Sequence, residues 1–171
     1  EVGYDWIFDI FEDREGNLWF ASMGSGVWKH NPQANSFEKY INKEGEPNSL
    51  SSNSVSSVMQ DSKGRIWLST DRGGICRYNA ETNDFTSFSI KEGLPDDVAY
   101  EILEDDAHNL WFGTNKGLVK FNPETKDIHV FTTKDGLLGN QFNYKSALKV
   151  GDGRFFFGGI NGLIAFDPNI S

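Results

Sequence analysis

Apolar residues fall in short bursts along this chain, separated by turns rich in Gly, Asn and Asp, and that spacing predicts strands. The densest bursts are Leu18-Trp19-Phe20, Ile66-Trp67-Leu68, Leu110-Trp111-Phe112 and Phe155-Phe156-Phe157. Each is apolar at successive positions, so each must be covered on both faces of its sheet. Ahead of them lie the first strands, Ile7 to Glu12, Val55 to Gln60, Ala99 to Glu104 and Tyr144 to Lys149. Behind them come third strands opening at Gly26, Gly74, Gly117 and Gly162. The stretches Phe37 to Tyr40, Phe85 to Phe88 and Ile128 to Phe131 carry polar residues such as Glu38, Lys39 and His129, as outer, half-solvated strands do. One unit is a four-stranded meander.

The units repeat. Asp13-Arg-Glu-Gly16-Asn-Leu-Trp19-Phe, Asp61-Ser-Lys-Gly64-Arg-Ile-Trp67-Leu and Asp105-Asp-Ala-His108-Asn-Leu-Trp111-Phe are followed by a fourth copy in Asp152-Gly153-Arg-Phe-Phe156-Phe. The Trp19, Trp67, Trp111 and Phe156 positions lie 48, 44 and 45 residues apart, the period of propeller blades. The expected fold is all-β, a β-propeller fragment of about four four-stranded antiparallel blades, the last lacking its outer strand. The expected blades cover about 6-40, 55-88, 99-132 and 143-168 within one partial propeller over 1-171. An open ring would expose two apolar blade faces, so self-association is expected, with a dimer the simplest closed arrangement. The alternative is that Glu1 to Asp5 pair with the open edge.

In each turn an Asp can accept backbone N–H bonds while a Gly three residues later supplies a positive φ, and His108 stands in for that Gly once. The formal net charge of −9 leaves no basic stripe for nucleic acid and disfavours an anionic membrane surface. Apolar runs such as Phe155 to Phe157 are far too short to span a bilayer. Cys76 is the only cysteine, so no internal disulfide forms, and no Cys/His cluster has metal-ligand spacing. No metal and no cofactor is expected.

The string Asp105 to Trp111 continues into Phe112-Gly113-Thr114 and Gly117-Leu118-Val-Lys-Phe121-Asn122. It is preceded by Glu92-Gly93-Leu94-Pro95, which returns as Asp135-Gly136-Leu137-Leu138. This pattern resembles the two-component regulator propeller repeat, with Ala21 for Gly in the first copy and Phe156 for Trp in the fourth. The resemblance implies part of a large propeller in the periplasmic half of an inner-membrane receptor, often a hybrid sensor histidine kinase that detects glycans. It also implies, as partners, the rest of the parent propeller and an adjoining immunoglobulin-like domain. The sequence from Gly158 to Pro168 is similar to the last repeat before that domain.

In such a meander the second turn of each blade and the blade-to-blade linkers share one end. Loops on a rigid scaffold are where ligands bind. A sugar needs amides and charged groups around its hydroxyls and an aromatic plane against its apolar face. Arg72, Asn115, Lys116, Asn140, Gln141 and Asn161 are the candidate ligand-binding residues, with Tyr100 and Phe142 as weaker aromatic ones, and an oligosaccharide is the expected ligand. An alternative is a protein-protein interaction scaffold. A glycosidase would need two convergent carboxylates, whereas Asp13, Asp61 and Asp105 repeat with the blades and read as structural. No catalytic residue is expected.

Overall fold

The computed structural model describes residues 6–170. Residues 1–5, and with them the pairing considered for Glu1 to Asp5, lie outside the described residues. The strands are β1 (Ile7–Glu12), β2 (Leu18–Ser22), β3 (Val27–Asn31) and β4 (Ser36–Tyr40), then β5 (Val55–Gln60), β6 (Ile66–Thr70), β7 (Ile75–Asn79) and β8 (Asp84–Phe88). β9 (Ala99–Glu104), β10 (Leu110–Thr114), β11 (Gly117–Phe121) and β12 (Ile128–Phe131) follow, and β13 (Phe142–Lys149), β14 (Phe155–Gly159) and β15 (Gly162–Phe166) complete the set. They form four antiparallel meanders, three of four strands and one of three, in a propeller arrangement. The first strands stand side by side, β1 by β5, β5 by β9 and β9 by β13.

Burial follows the apolar bursts. Every residue of β6 and β10 is buried, because each of these strands lies between neighbours in its sheet and between neighbouring blades. The core divides into three clusters, one at each blade-to-blade junction, centred on Trp19, Trp67 and Trp111. Each of these rings meets the aromatic of the following blade's third strand: Trp19 lies 5.0 Å from Tyr78, Trp67 5.8 Å from Phe121 and Trp111 5.2 Å from Phe166. His30 occupies the corresponding place in β3, stacked 4.2 Å from Phe37.

The repeated Asp holds turn and tryptophan together. Oδ1 of Asp13 accepts the N–H groups of Glu15 and Asn17 while Oδ2 accepts the Trp19 indole N–H at 2.9 Å. Asp61 does the same for Lys63, Arg65 and Trp67, and Asp105 for Ala107, Asn109 and Trp111. His108 takes the left-handed turn position at φ 67.

The fourth copy keeps the alignment on Phe156 but lacks the leading Asp. Val150 N–H bonds the Arg154 carbonyl and Gly153 N–H bonds the Val150 carbonyl, as Asp105 and His108 do one blade earlier. Val150 therefore stands in the Asp position, and Asp152 instead pairs with Arg154 at 2.9 Å. The physical reason is that Phe156 has no indole N–H, so a buried carboxylate there would lack its donor.

The linker motif also resolves into parts. Ser89 and Glu92 form a reciprocal capping box around a single 3-10 turn, Gly93 ends it at φ 110, and Leu94 is buried. Thr132, Asp135 and Gly136 repeat the device. β13 begins two residues before its expected start, because Phe142 already pairs with Gly159 and a bulge then interrupts the alternation that marks a strand.

Candidate functional site

Each first strand is bulged near its start, where Ile7 and Asp9, Val55 and Ser57, and Ala99 and Ile102 bracket a register shift. In β13 the shift is larger and spans Phe142 to Ala147, with Lys145 at φ 48. Bulges turn side chains that would alternate along the strand toward one place. Here they bring residues of blades one, three and four together at the centre: Phe8 and Asp9, Tyr100 and Glu101, Tyr144 and Lys145.

The aromatic part is a row. Tyr144 packs edge-on against Phe8 at 5.5 Å and against Tyr100 at 5.0 Å. Beside it, the Lys145 ammonium lies 3.3 Å from Asp9 Oδ1 and 3.4 Å from Glu101 Oε1, linking three blades. The two carboxylates also serve the scaffold. Asp9 accepts the Val58 N–H and Glu101 the Ala147 N–H, each from the first strand of the next blade. Their remaining oxygens and the half-exposed Lys145 face the centre.

The sequence-derived candidates divide. Asn115 joins the cluster, its Oδ1 accepting the Tyr100 hydroxyl at 2.5 Å and its N–H bonding Asp96. Arg72, exposed and at φ 75, stands on the hairpin whose Asp71 also acts on Tyr144. Burial, followed by Tyr144, Asp71 and Asp96, pushes the Tyr100 phenol up. Burial and Asp71 push Tyr144 up, with Arg72 opposing. Both hydroxyls therefore stay protonated donors at neutral pH.

The other candidates do not converge there. Lys116 is exposed at the β10–β11 turn. Asn140 anchors a linker, its Oδ1 accepting the Thr133 N–H and its carbonyl the Gly117 N–H, much as Asp97 serves Ile90 and Gly74. Gln141 and Asn161 are exposed and share a shallow cleft with Leu138 at the rim of blade four. Phe142 is a core residue, only 5 % exposed, pressed onto Gly113 where a Cβ would come within 2.3 Å of its ring. Asp9, Glu101, Tyr144 and Lys145 were missed because their prominence depends on the bulges; the broken alternation at Ala99-Tyr100-Glu101-Ile102 and Asn143-Tyr144-Lys145-Ser146 was the available signal.

A serine, a histidine and a carboxylate also meet at the opposite end. Ser62 Oγ lies 2.8 Å from His108 Nδ1 and 2.9 Å from Glu104 Oε2. A nucleophilic relay places the imidazole between hydroxyl and acid; here the hydroxyl sits between them, and Glu104 also holds the Ser62 N–H. The trio ties blade two to blade three, as Lys149, Asp106 and Asn169 tie blade three to blade four. Among the described residues no three His, Cys, Asp or Glu side chains are grouped to hold a metal ion. No helix among them is long and apolar enough to cross a membrane.

Three stretches, residues 2–24, 49–72 and 93–116, match the family described as two component regulator propeller. Histidine kinase P4 of Formosa agariphila is 31% identical over 71 residues, which make up 42% of this chain and 5% of that protein. The extracellular domain of what is described as a hybrid two component system of B. thetaiotaomicron superposes with a TM-score of 0.85 at 30% identity, over 96% of this chain and 22% of that one. A second such domain from B. thetaiotaomicron gives 0.77 at 26% identity, over 95% and 23% of the two chains. Virginiamycin B lyase from Staphylococcus aureus shares the fold at 14% identity, with a TM-score of 0.65 over 96% of this chain and 57% of that one. The chain thus spans 22% and 23% of the two extracellular domains it matches.

Proposed function

We propose that this chain, which belongs to the two component regulator propeller family, is a non-catalytic sensing segment of a periplasmic receptor and recognises an oligosaccharide at the centre of its blades. The observation that carries the reading is the convergence of the Phe8–Tyr144–Tyr100 row with Asp9, Glu101 and Lys145 on the bulges of three first strands. An aromatic ring face suits the apolar face of a sugar ring, while carboxylates, an ammonium and the Asn115 amide suit its hydroxyls. Groups held on bulged strands of a rigid scaffold are pre-organised, which limits the ordering cost of binding. The likeness to extracellular domains of two component systems supports the sensing role and the address.

A thermal-shift screen against neutral and acidic oligosaccharides tests this. At least one raises the unfolding midpoint, by about 2.7 kcal/mol of added stability at one hundred times its dissociation constant. Tyr144→Ala abolishes the shift while the unliganded protein remains folded. Silence across the panel, or a shift untouched by Tyr144→Ala, overturns the assignment.

The same reading accounts for the outward faces of blades one and four, where Ile10 is 62% exposed and Leu148 and Leu163 are each 59% exposed. These are the faces that blades two and three cover with their neighbours, and further blades of the receptor or a second copy would cover them. The isolated chain associates as a dimer; a monomeric mass by light scattering at micromolar concentration overturns this part of the proposal.

A further inference from the structure

Blades two and three each have all four strands, and the junction between them gathers positive charge on a chain whose formal net charge is −9. The repeat itself supplies the comparison. Between blades one and two, four equivalent positions hold Glu15, Asn17, Lys29 and Asn83, one cation with one carboxylate. Between blades two and three the same positions hold Lys63, Arg65, Arg77 and Lys126, all cations. The balance across the outer strands shifts the same way, since Glu38 stands opposite Lys29 and the neutral Thr86 opposite Arg77.

These side chains share one place, at the end of the blades away from the central cluster. Arg65 lies 5.9 Å from the Trp67 ring centre and Lys126 5.5 Å from that of Phe88, and those two rings are 5.9 Å apart. Arg77 stands opposite Trp67 in register. Two carboxylates serve the group. Asp61 takes Arg65 Nε at 2.6 Å, while Glu124 takes Arg65 Nη1 at 2.9 Å and Lys63 Nζ at 2.8 Å. Among the described residues no carboxylate pairs with the other two cations: Lys126 donates to the Pro123 carbonyl, and Arg77 donates from Nε to Asn79 Oδ1 at 3.4 Å. Asp84 and Asp127, on the neighbouring turns, accept from Asn79, Thr82 and Thr125 instead. Burial first, then Arg77 and Arg65, pull the Lys126 ammonium below the usual lysine range, with Glu124 opposing.

Lys126 occupies a left-handed turn position, φ 69, where the first two blades place Asn35 and Asn83, a residue type that tolerates this region well. Asn83 works there as an acceptor for the Tyr40 and Tyr78 hydroxyls at 2.8 and 2.7 Å. In the next junction Phe88 and Phe121 replace those tyrosines, which removes the need for an acceptor but calls for no cation. A lysine in a strained conformation beside two guanidinium groups costs the fold on both counts. The Phe88 ring face offsets only part of this.

We infer that Arg77 and Lys126, backed by Arg65, bind a tetrahedral oxyanion, a sulfate or phosphate group, at the junction of blades two and three. A guanidinium presents paired N–H donors that match two oxygens of such an anion, and the ammonium supplies a third donor. The anion's charge turns a like-charge contact into two attractive ones, while Glu124 keeps its bonds to Arg65 Nη1 and Lys63.

The full 171-residue chain is titrated with sodium sulfate and sodium phosphate at constant ionic strength and followed by nitrogen–proton correlation NMR. The Arg77 Nε–H and the Lys126 amide shift saturably, and chloride moves neither. Lys126→Asn, which installs the residue found at this turn in blades one and two, leaves the unliganded protein at least as stable. It weakens oxyanion binding by roughly tenfold or more, the loss of one hydrogen bond to a charged group. Lys39→Asn, the same charge change at a lysine over Trp28, leaves binding unchanged. Sulfate and phosphate monoesters of glucose distinguish the sources: esters that bind as tightly as the inorganic ions assign the site to a larger molecule presenting the group, and binding of the inorganic ions alone assigns it to the free anion. Shifts that grow without saturating, equal binding to the Lys126→Asn protein, or saturable shifts confined to Lys145 in the central cluster overturn the proposal.

Discussion

Replacing Asp105 by valine lowers the unfolding free energy by roughly 3 kcal/mol, because the Trp111 indole N–H and the N–H groups of Ala107 and Asn109 lose their acceptor, at about 1–3 kcal/mol for each group left buried and unpaired. Asp105 is 3% exposed, so water replaces only part of what is lost. The same change made together with Trp111→Phe costs less than the sum of the two single changes by about 1–2 kcal/mol, since the indole donor is no longer present to be orphaned. The protein has already made this exchange once, with Val150 and Phe156 in blade four. Urea unfolding of the four members of the cycle, followed by far-ultraviolet circular dichroism, gives the coupling; strict additivity would show that Asp105 serves the turn alone.

The cation over the ring comes from two different places in the repeat. Lys29 lies 5.7 Å from the Trp19 ring centre and Lys120 5.4 Å from that of Trp111, both opposite their tryptophans in register. Opposite Phe156 stands Ala165. The acceptor follows the indole, since only the indole has a donor to satisfy, whereas the cation does not: Arg154 lies 5.8 Å from the Phe156 ring centre, as Arg65 lies 5.9 Å from that of Trp67. Phenylalanine lacks the donor but keeps a ring face for the cation.

Gly74→Ala destabilises the fold by roughly 2–5 kcal/mol, whereas Gly162→Ala, the same change at the same place in the repeat, costs about 1–3 kcal/mol. Both glycines have positive φ, 68 and 126, so both alanines are strained. Only at Gly74 does the new Cβ also meet a backbone oxygen that cannot rotate away. Urea midpoints of the two variants, measured at equal slope, decide the ordering. A Gly162→Ala variant as unstable as Gly74→Ala would mean that its φ, and not the neighbouring strand, sets the requirement at this position.

Much of the fold was legible because blade geometry leaves a local signature. The Trp19, Trp67 and Trp111 bursts, the Asp-led turns and the glycines opening each third strand recur at a spacing that only the meander explains. The fourth copy was legible through Phe156 and Gly153, which keep their places in the repeat, whereas Asp152 imitates the leading Asp whose position Val150 holds. The candidate site was less legible. Polar character in the loops pointed to Arg72 and Asn115, but it pointed equally to Asn140, whose side chain and carbonyl are both committed to holding a linker.

From sequence alone came the all-β class, the blade number, the order of strands within a blade and the reason Trp19, Trp67 and Trp111 are buried. Those properties depend on alternation, turn chemistry and repetition, which are written in neighbouring residues. Tertiary structure alone decided which residues of different blades meet: that Tyr144 reaches Phe8 and Tyr100, and that Lys145 bridges Asp9 and Glu101. Bulges set those meetings by rotating a few side chains off the regular period, and the curvature of the blade array sets which of them come together. Neither quantity is carried by a single repeat, so neither could be read from one.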